Sequence, residues 1–145
     1  MGFQFSLATV LRVRGILEEQ EERMLQKILF EIAQTREALA RTEAEISESD
    51  ASRRADIFKP FIGRNLHASY GEVKELQQNK KNLEEQIAKL EQLRDRQIVV
   101  YENARRNREM LTNMHEEKRS AYESDLARLE QKTIDDNYIA RRGRN

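Results

Sequence analysis

The sequence predicts an all-α fold, an antiparallel two-helix coiled coil in the form of a long helical hairpin, with the C-terminal helix longer and overhanging. Three observations predict it. First, Asp, Glu, Lys and Arg make up 36% of the 145 residues, with one proline, five glycines and no tryptophan. That leaves too little apolar material for a broad core and enough for a seam between helices. Second, apolar residues recur at steps of three and four through most of the chain, the spacing of a helix face turned to a partner helix. Third, this period fails once, between Ser47 and Gly71, around the one proline, Pro60. A chain of this length fits one coiled-coil domain spanning residues 1–145, and its low content of Pro, Ser and Gly argues against disorder.

Helix one is expected over about residues 6–57. Leu25, Ile28, Ile32, Thr35, Leu39, Thr42 and Ile46 share one register, and Val10, Val13 and Leu17 fit a shifted one. Such a shift reads as a stutter, a local change of winding that leaves the helix intact. The turn region is expected over about 58–68. Pro60 disfavours helical geometry at Lys59, and Gly63 permits a positive φ.

Helix two is expected over about 69–141, with Ser69 and Glu72 spaced as a capping box, followed by a basic tail at 142–145. Its stripe runs from Val73 through Leu76, Lys80, Leu83, Ile87, Leu90, Arg94, Gln97, Tyr101, Ala104, Arg108, Leu111, His115 and Lys118 to Tyr122. Nine of those fifteen positions are apolar or aromatic, enough to define a seam over seven heptads. Folding back at the turn brings together residues whose numbers sum to about 126, so Val10 is expected near Glu116 and Ile46 near Lys80. The overhang then begins near Tyr122 and is about 20 residues long, or ~30 Å at the α-helical rise. Glu19–Arg23, Glu37–Arg41, Glu85–Lys89 and Glu102–Arg106 are spaced to pair on the solvated faces.

Charge excludes some functions. The formal net charge is zero, so there is no overall nucleic-acid signature, and acidic residues intersperse Arg105, Arg106 and Arg108. Locally the balance alternates. Glu18–Asp50 has ten acidic residues against four basic ones, whereas Arg53, Arg54, Lys59 and Arg64 outweigh Asp56, and Arg141, Arg142 and Arg144 make the tail basic. No apolar run reaches the roughly 18 residues a membrane span needs. Arg12 and Arg14 interrupt the apolar start, which argues against a signal peptide. Gly2 and Ser6 match the short acylation pattern, a match that chance supplies readily. With no cysteine there is neither a disulfide framework nor a thiolate metal site.

No enzyme is expected. The chain has no Gly-rich phosphate loop, no Ser/His/Asp set and no His/Cys cluster, and no cofactor or metal is implied. His67 and His115 fall too far apart on a hairpin to share an ion, and His115 reads as a polar seam position that helps set register. Lys80, Arg94 and Arg108 at seam spacing fit register setting, with a deliberately marginal coil as the alternative. Around the turn, Ile57, Phe58, Phe61, Ile62 and Leu66 stand beside basic residues. They read equally as a plug on the end of the coil and as a docking patch for a partner protein. Phe58, Phe61 and Tyr70 are the residues singled out for the second reading.

Two stretches carry a family resemblance. Phe3-x-Phe5-x-Leu7-x-x-Val10-Leu11-x-x-Arg14, followed by Glu18 and Glu19, resembles the opening of the flagellar export protein FliJ family. Leu129-Glu130-Gln131-Lys132-x-Ile134-Asp135-Asp136, followed by Arg141 and Arg142, is similar to its ending, with Asp136 where the family usually has Glu. About 25 residues carry this similarity, and the length and fold-back agree over the whole chain. The resemblance implies a soluble stalk of the type III flagellar export apparatus, similar in shape to the rotary shaft subunit of F-type ATPases. Such a stalk sits in the central hole of the hexameric export ATPase and promotes its assembly or activity. It links that ring to the membrane export gate protein and handles export chaperones. The implied location is cytoplasmic, at the flagellar base, peripheral to the inner membrane through partners only. On this resemblance Gln131, Lys132, Asp135, Asp136, Arg141 and Arg142 face the ring. The family's gate-contacting aromatic residues near the end of helix one have no match here, where Glu45 and Ser49 stand. Alternatives from the sequence are the homologous stalk of a virulence injectisome, a general coiled-coil export chaperone or adaptor without ATPase contact, and a self-associating structural coiled coil.

Overall fold

The computed structural model describes the backbone of residues 2–56 and 63–144, and the side chains of residues 2–55 and 70–144. It is a helical hairpin of α1 (Ala8–Asp56) and α2 (Gly63–Gly143), the second helix the longer, with no strand among the described residues. Helix α2 begins at Gly63, about six residues before the expected start at Ser69, so Ser69 lies inside the helix and does not cap it. Pro60 restricts the residues before it and leaves those after it free to turn helically, and no described glycine has a positive φ. Gly71, which sequence alone places in the first helical turn, is interior to α2, and a Cβ there would meet nothing within 4 Å.

The described residues divide into two compact units: Glu22–Val100, and Met1–Glu21 together with Tyr101–Asn145. In the 22–100 unit the expected seam is present. Ile28 and Ile32 are 4% and 3% exposed, Thr35, Thr42 and Ile46 are buried, and Leu25 and Leu39 are half-buried. Val73 is buried opposite them, and Leu76, Lys80, Leu83, Ile87, Leu90, Arg94 and Gln97 are half-buried in the same three–four rhythm. The helices are antiparallel here: the Arg36 guanidinium donates to Glu91 at 2.8 Å, and Asn79 Nδ2 to Thr42 Oγ1 at 3.4 Å. Lys80 lies 4.0 Å from Glu43, about one turn from Ile46, its expected neighbour. Thr35 and Thr42 satisfy their hydroxyls by donating to the carbonyls of Glu31 and Ala38, at 2.8 and 3.0 Å. That back-bonding lets a polar side chain occupy a seam position without a partner across it.

In the 1–21/101–145 unit the expected stutter is absent. Val10, Val13 and Leu17 are exposed, and the half-buried positions up to residue 21 are Phe3, Leu7, Leu11, Gly15, Glu18 and Glu21. The covered register carries Leu7 and Leu11 back by heptads from Ile28 and Leu25, and α2 sets Arg108 and His115, on either side of buried Leu111, across from it. Glu18 answers Arg108 and Phe5 answers His115, and these two matches reinforce which side of α1 turns inward.

Candidate functional site

The 1–21/101–145 unit holds the densest chemistry. Arg108 grips Glu18 across the seam with two hydrogen bonds, Nε to Oε2 at 2.6 Å and Nη2 to Oε1 at 3.1 Å. Both side chains are half or more buried. This forked geometry is the strong form of a charge-assisted bond. The hydrogen bond from Arg108 holds the Glu18 carboxyl below its ordinary pKa, opposed by partial desolvation and helped by the positive charges of Arg108 and Arg105. The same bond raises Arg108, which is charged at any ordinary pH.

Just before α1, Phe3 and Phe5 close on α2. The Phe5 ring, buried, meets His115 edge-on at 5.0 Å. Phe3 meets His115 at 5.5 Å and Tyr122 at 5.5 Å, and the Lys118 ammonium stands 5.8 Å from the Phe5 ring centre. His115 is thus a seam residue held between aromatic rings. The signal for this clamp was two aromatics at alternate positions ahead of the first helical turn, and a ring-bearing residue in the facing stripe. Sequence reasoning used Phe3 and Phe5 only as motif letters.

Past Tyr122, every described residue of α2 is exposed. Six of the residues singled out from sequence lie here. Gln131 Nε2 donates to Asp135 Oδ1 at 3.1 Å, one turn on. Lys132, Asp136, Arg141 and Arg142 are exposed, and the Arg141 carbonyl accepts the Arg144 amide at 3.3 Å where the helix ends. The structure brings these six together on one segment. By the 3.6-residue period, Gln131, Lys132 and Asp135 fall on one half of the helix, whereas Leu126, Leu129, Ile134 and Tyr138 fall on the other. The last two of those apolar side chains are 60% and 64% exposed, and Leu129, Glu130, Thr133 and Ile134 line a shallow, mostly apolar groove.

In the 22–100 unit, Tyr70 is exposed, and the Arg53 guanidinium stacks on its ring, 4.9 Å from the centre. Arg53 is also paired with Asp50, and its Nε is buried with no acceptor among the described residues. Phe58 and Phe61, the other two residues singled out for partner docking, lie outside the described residues, as do Ile57 and Ile62. Arg53 was read from sequence only as part of a basic stretch, and its role as the cation over Tyr70 depends on both helices.

Among the described residues, no group of His, Asp and Glu side chains could hold a metal ion. No described helix is long and apolar enough to cross a membrane. Compared with models of known protein families, with curated proteins and with solved structures, the chain matches none.

Proposed function

We propose that the chain is a stalk or adaptor of the flagellar type III protein export apparatus and not an enzyme. In this reading the exposed end of α2 enters the central hole of the hexameric export ATPase and promotes its assembly or activity. The chain links that ring to the membrane export gate protein and serves export chaperones on the cytoplasmic side. The observation that carries the reading is the 123–144 segment. A helix exposed on all sides, with large apolar side chains among its charges, is incomplete without a surface from another protein. Its Gln131, Lys132, Asp135, Asp136, Arg141 and Arg142 are the residues the resemblance assigns to the ring-facing end. The three arginines at the tail suit acidic groups lining a ring and would speed docking through charge. Tyr70, with Phe58 and Phe61, is the proposed contact to the gate.

The test is ATP hydrolysis by a purified hexameric export ATPase with and without the chain. Stimulation by the parent, and its loss in the triple variant Arg141→Glu, Arg142→Glu, Arg144→Glu, supports the reading. A parent chain that neither binds nor stimulates the ATPase sinks it. Unchanged stimulation by the triple variant removes the arginines from the interface.

A further inference from the structure

The seam of α2 is longer than the helix that covers it. Helix α1 begins at Ala8, and the end of the seam, from His115 to Tyr122, lies under the rings of Phe3 and Phe5 from the segment ahead of α1. Beyond Tyr122 the seam line runs on. Steps of four and three lead to Leu126 and Leu129, both within about 40° of the Leu111–His115–Tyr122 line at the α-helical period. These two leucines are 45% and 62% exposed. A helix lying over them extends packing that already exists, and it arrives at Tyr122, where the Phe3 ring stands 5.5 Å away.

Two rings anchor the segment ahead of α1. Phe5 is buried against His115 and Phe3 is half-buried, whereas Gly2, Gln4 and Ser6 are exposed. Its backbone is tied to the first turn of α1, where the Ala8 amide donates to the Phe5 carbonyl at 3.1 Å. A short segment held by two side chains opens at lower free-energy cost than the hairpin unfolds.

We propose that residues 2–7 are a displaceable strap that gates a docking line on α2. Closed, its rings occupy Tyr122. Open, it yields Tyr122, with Leu126 and Leu129, to a helix of the protein that receives 123–144. This rests on the export reading, in which that protein is the hexameric export ATPase. Strap and partner compete for one side chain, so the apparent affinity follows the fraction of chains whose strap is open.

The experiment is hydrogen exchange of the full chain with and without the purified export ATPase, joined to a binding titration. On binding, residues 2–11 are expected to lose protection while 115–129 gain it, opposite changes that a strap merely adjoining the interface would not give. Phe3→Ala with Phe5→Ala is expected to tighten binding about tenfold by raising the open fraction. Phe3→Ala alone is expected to tighten it less, with helicity by circular dichroism unchanged. Leu126→Glu with Leu129→Glu is expected to weaken binding about tenfold and to leave residues 2–11 protected. Binding that leaves residues 2–11 as protected as before, or an affinity indifferent to both strap variants, overturns the strap and leaves the export reading standing. Binding indifferent to Leu126→Glu with Leu129→Glu overturns the docking line. An ATPase that binds neither the parent nor the strap variants overturns both readings.

Discussion

The two units solve helix pairing by different means. The 22–100 unit buries Ile28, Ile32, Ile46 and Val73 with two threonines whose hydroxyls are satisfied within their own helix. The 1–21/101–145 unit buries Phe5 and Leu111, turns Leu7, Leu11, Gly15 and Glu18 inward, leaves Val10, Val13, Ile16 and Leu17 exposed, and adds an ion pair and a ring cluster between its helices. Apolar burial is non-directional and supplies affinity; a forked charge pair and an edge-on ring contact have one good geometry and supply register. An apolar stripe therefore does not by itself determine which side of a helix is covered. The continuing heptad register sets it, and the partner's polar residues reinforce it.

Substitutions break this comparison at graded levels. The largest effect is expected at Ile32. Ile32→Ala removes nearly a whole buried side chain from the apolar seam and is expected to lower unfolding stability by about 2–4 kcal/mol, read from urea denaturation. Next is the ion pair. Arg108→Ala leaves Glu18 with a carboxylate half-withdrawn from water and is expected to lower stability by about 1–3 kcal/mol. An equal loss in Glu18→Ala and in the double variant would show that the two act as one unit. The pH dependence has a definite sign. Glu18 is more acidic folded than unfolded, so its contribution is full above the ordinary glutamate pKa of about 4.3 and disappears as pH falls through the folded value. The gap in melting temperature between the parent and Glu18→Gln should therefore be wide at pH 7 and close in acid. A gap that is constant down to pH 2 would mean the bond is not charge-assisted. The smallest effect, and of opposite sign, is at Gly15. A Cβ there meets nothing within 4 Å, so Gly15→Ala is expected to stabilise by about 0.5–1 kcal/mol. Loss of stability would show that the seam needs the close approach of a glycine at that point.

How far the fold was legible follows the same division. In the 22–100 unit the steps from Leu25 to Ile46 and from Val73 to Gln97 name the seam residues correctly, because each helix carries its own apolar rhythm and local pattern suffices. Near the start of α1 the apolar rhythm of Val10, Val13 and Leu17 points to the side that faces away from α2. The covered side continues the Leu25–Ile46 register through Glu18, Leu11 and Leu7, and it is reinforced by Arg108 with Glu18 and His115 with Phe5, matches between residues about 90 to 110 apart in sequence. The start of α2 was misplaced for a different reason. Gly63 is read as part of the turn by its chemistry, yet it is helical, since a glycine weakens a helix by only about 1 kcal/mol and a long cooperative helix absorbs that. The candidate binding segment was legible as a basic, overhanging tail. Its apolar residues Leu126, Leu129, Ile134 and Tyr138 give only a drifting stripe, because their spacing of three, five and four does not hold to one helical face.

The threonine back-bonds have a mechanical consequence. The Thr35 and Thr42 hydroxyls need no partner across the seam, so register is carried by the contacts that do cross it. In the 22–100 unit those contacts include the Asn79–Thr42 bond, the exposed Arg36–Glu91 and Lys80–Glu43 pairs and the Arg53–Tyr70 stack. Glu18–Arg108 and the Phe5–His115 contact have no second position to move into. A single-molecule pull on the hairpin is expected to show the Glu18–Arg108 pair and the ring contacts yielding together, as one discrete event.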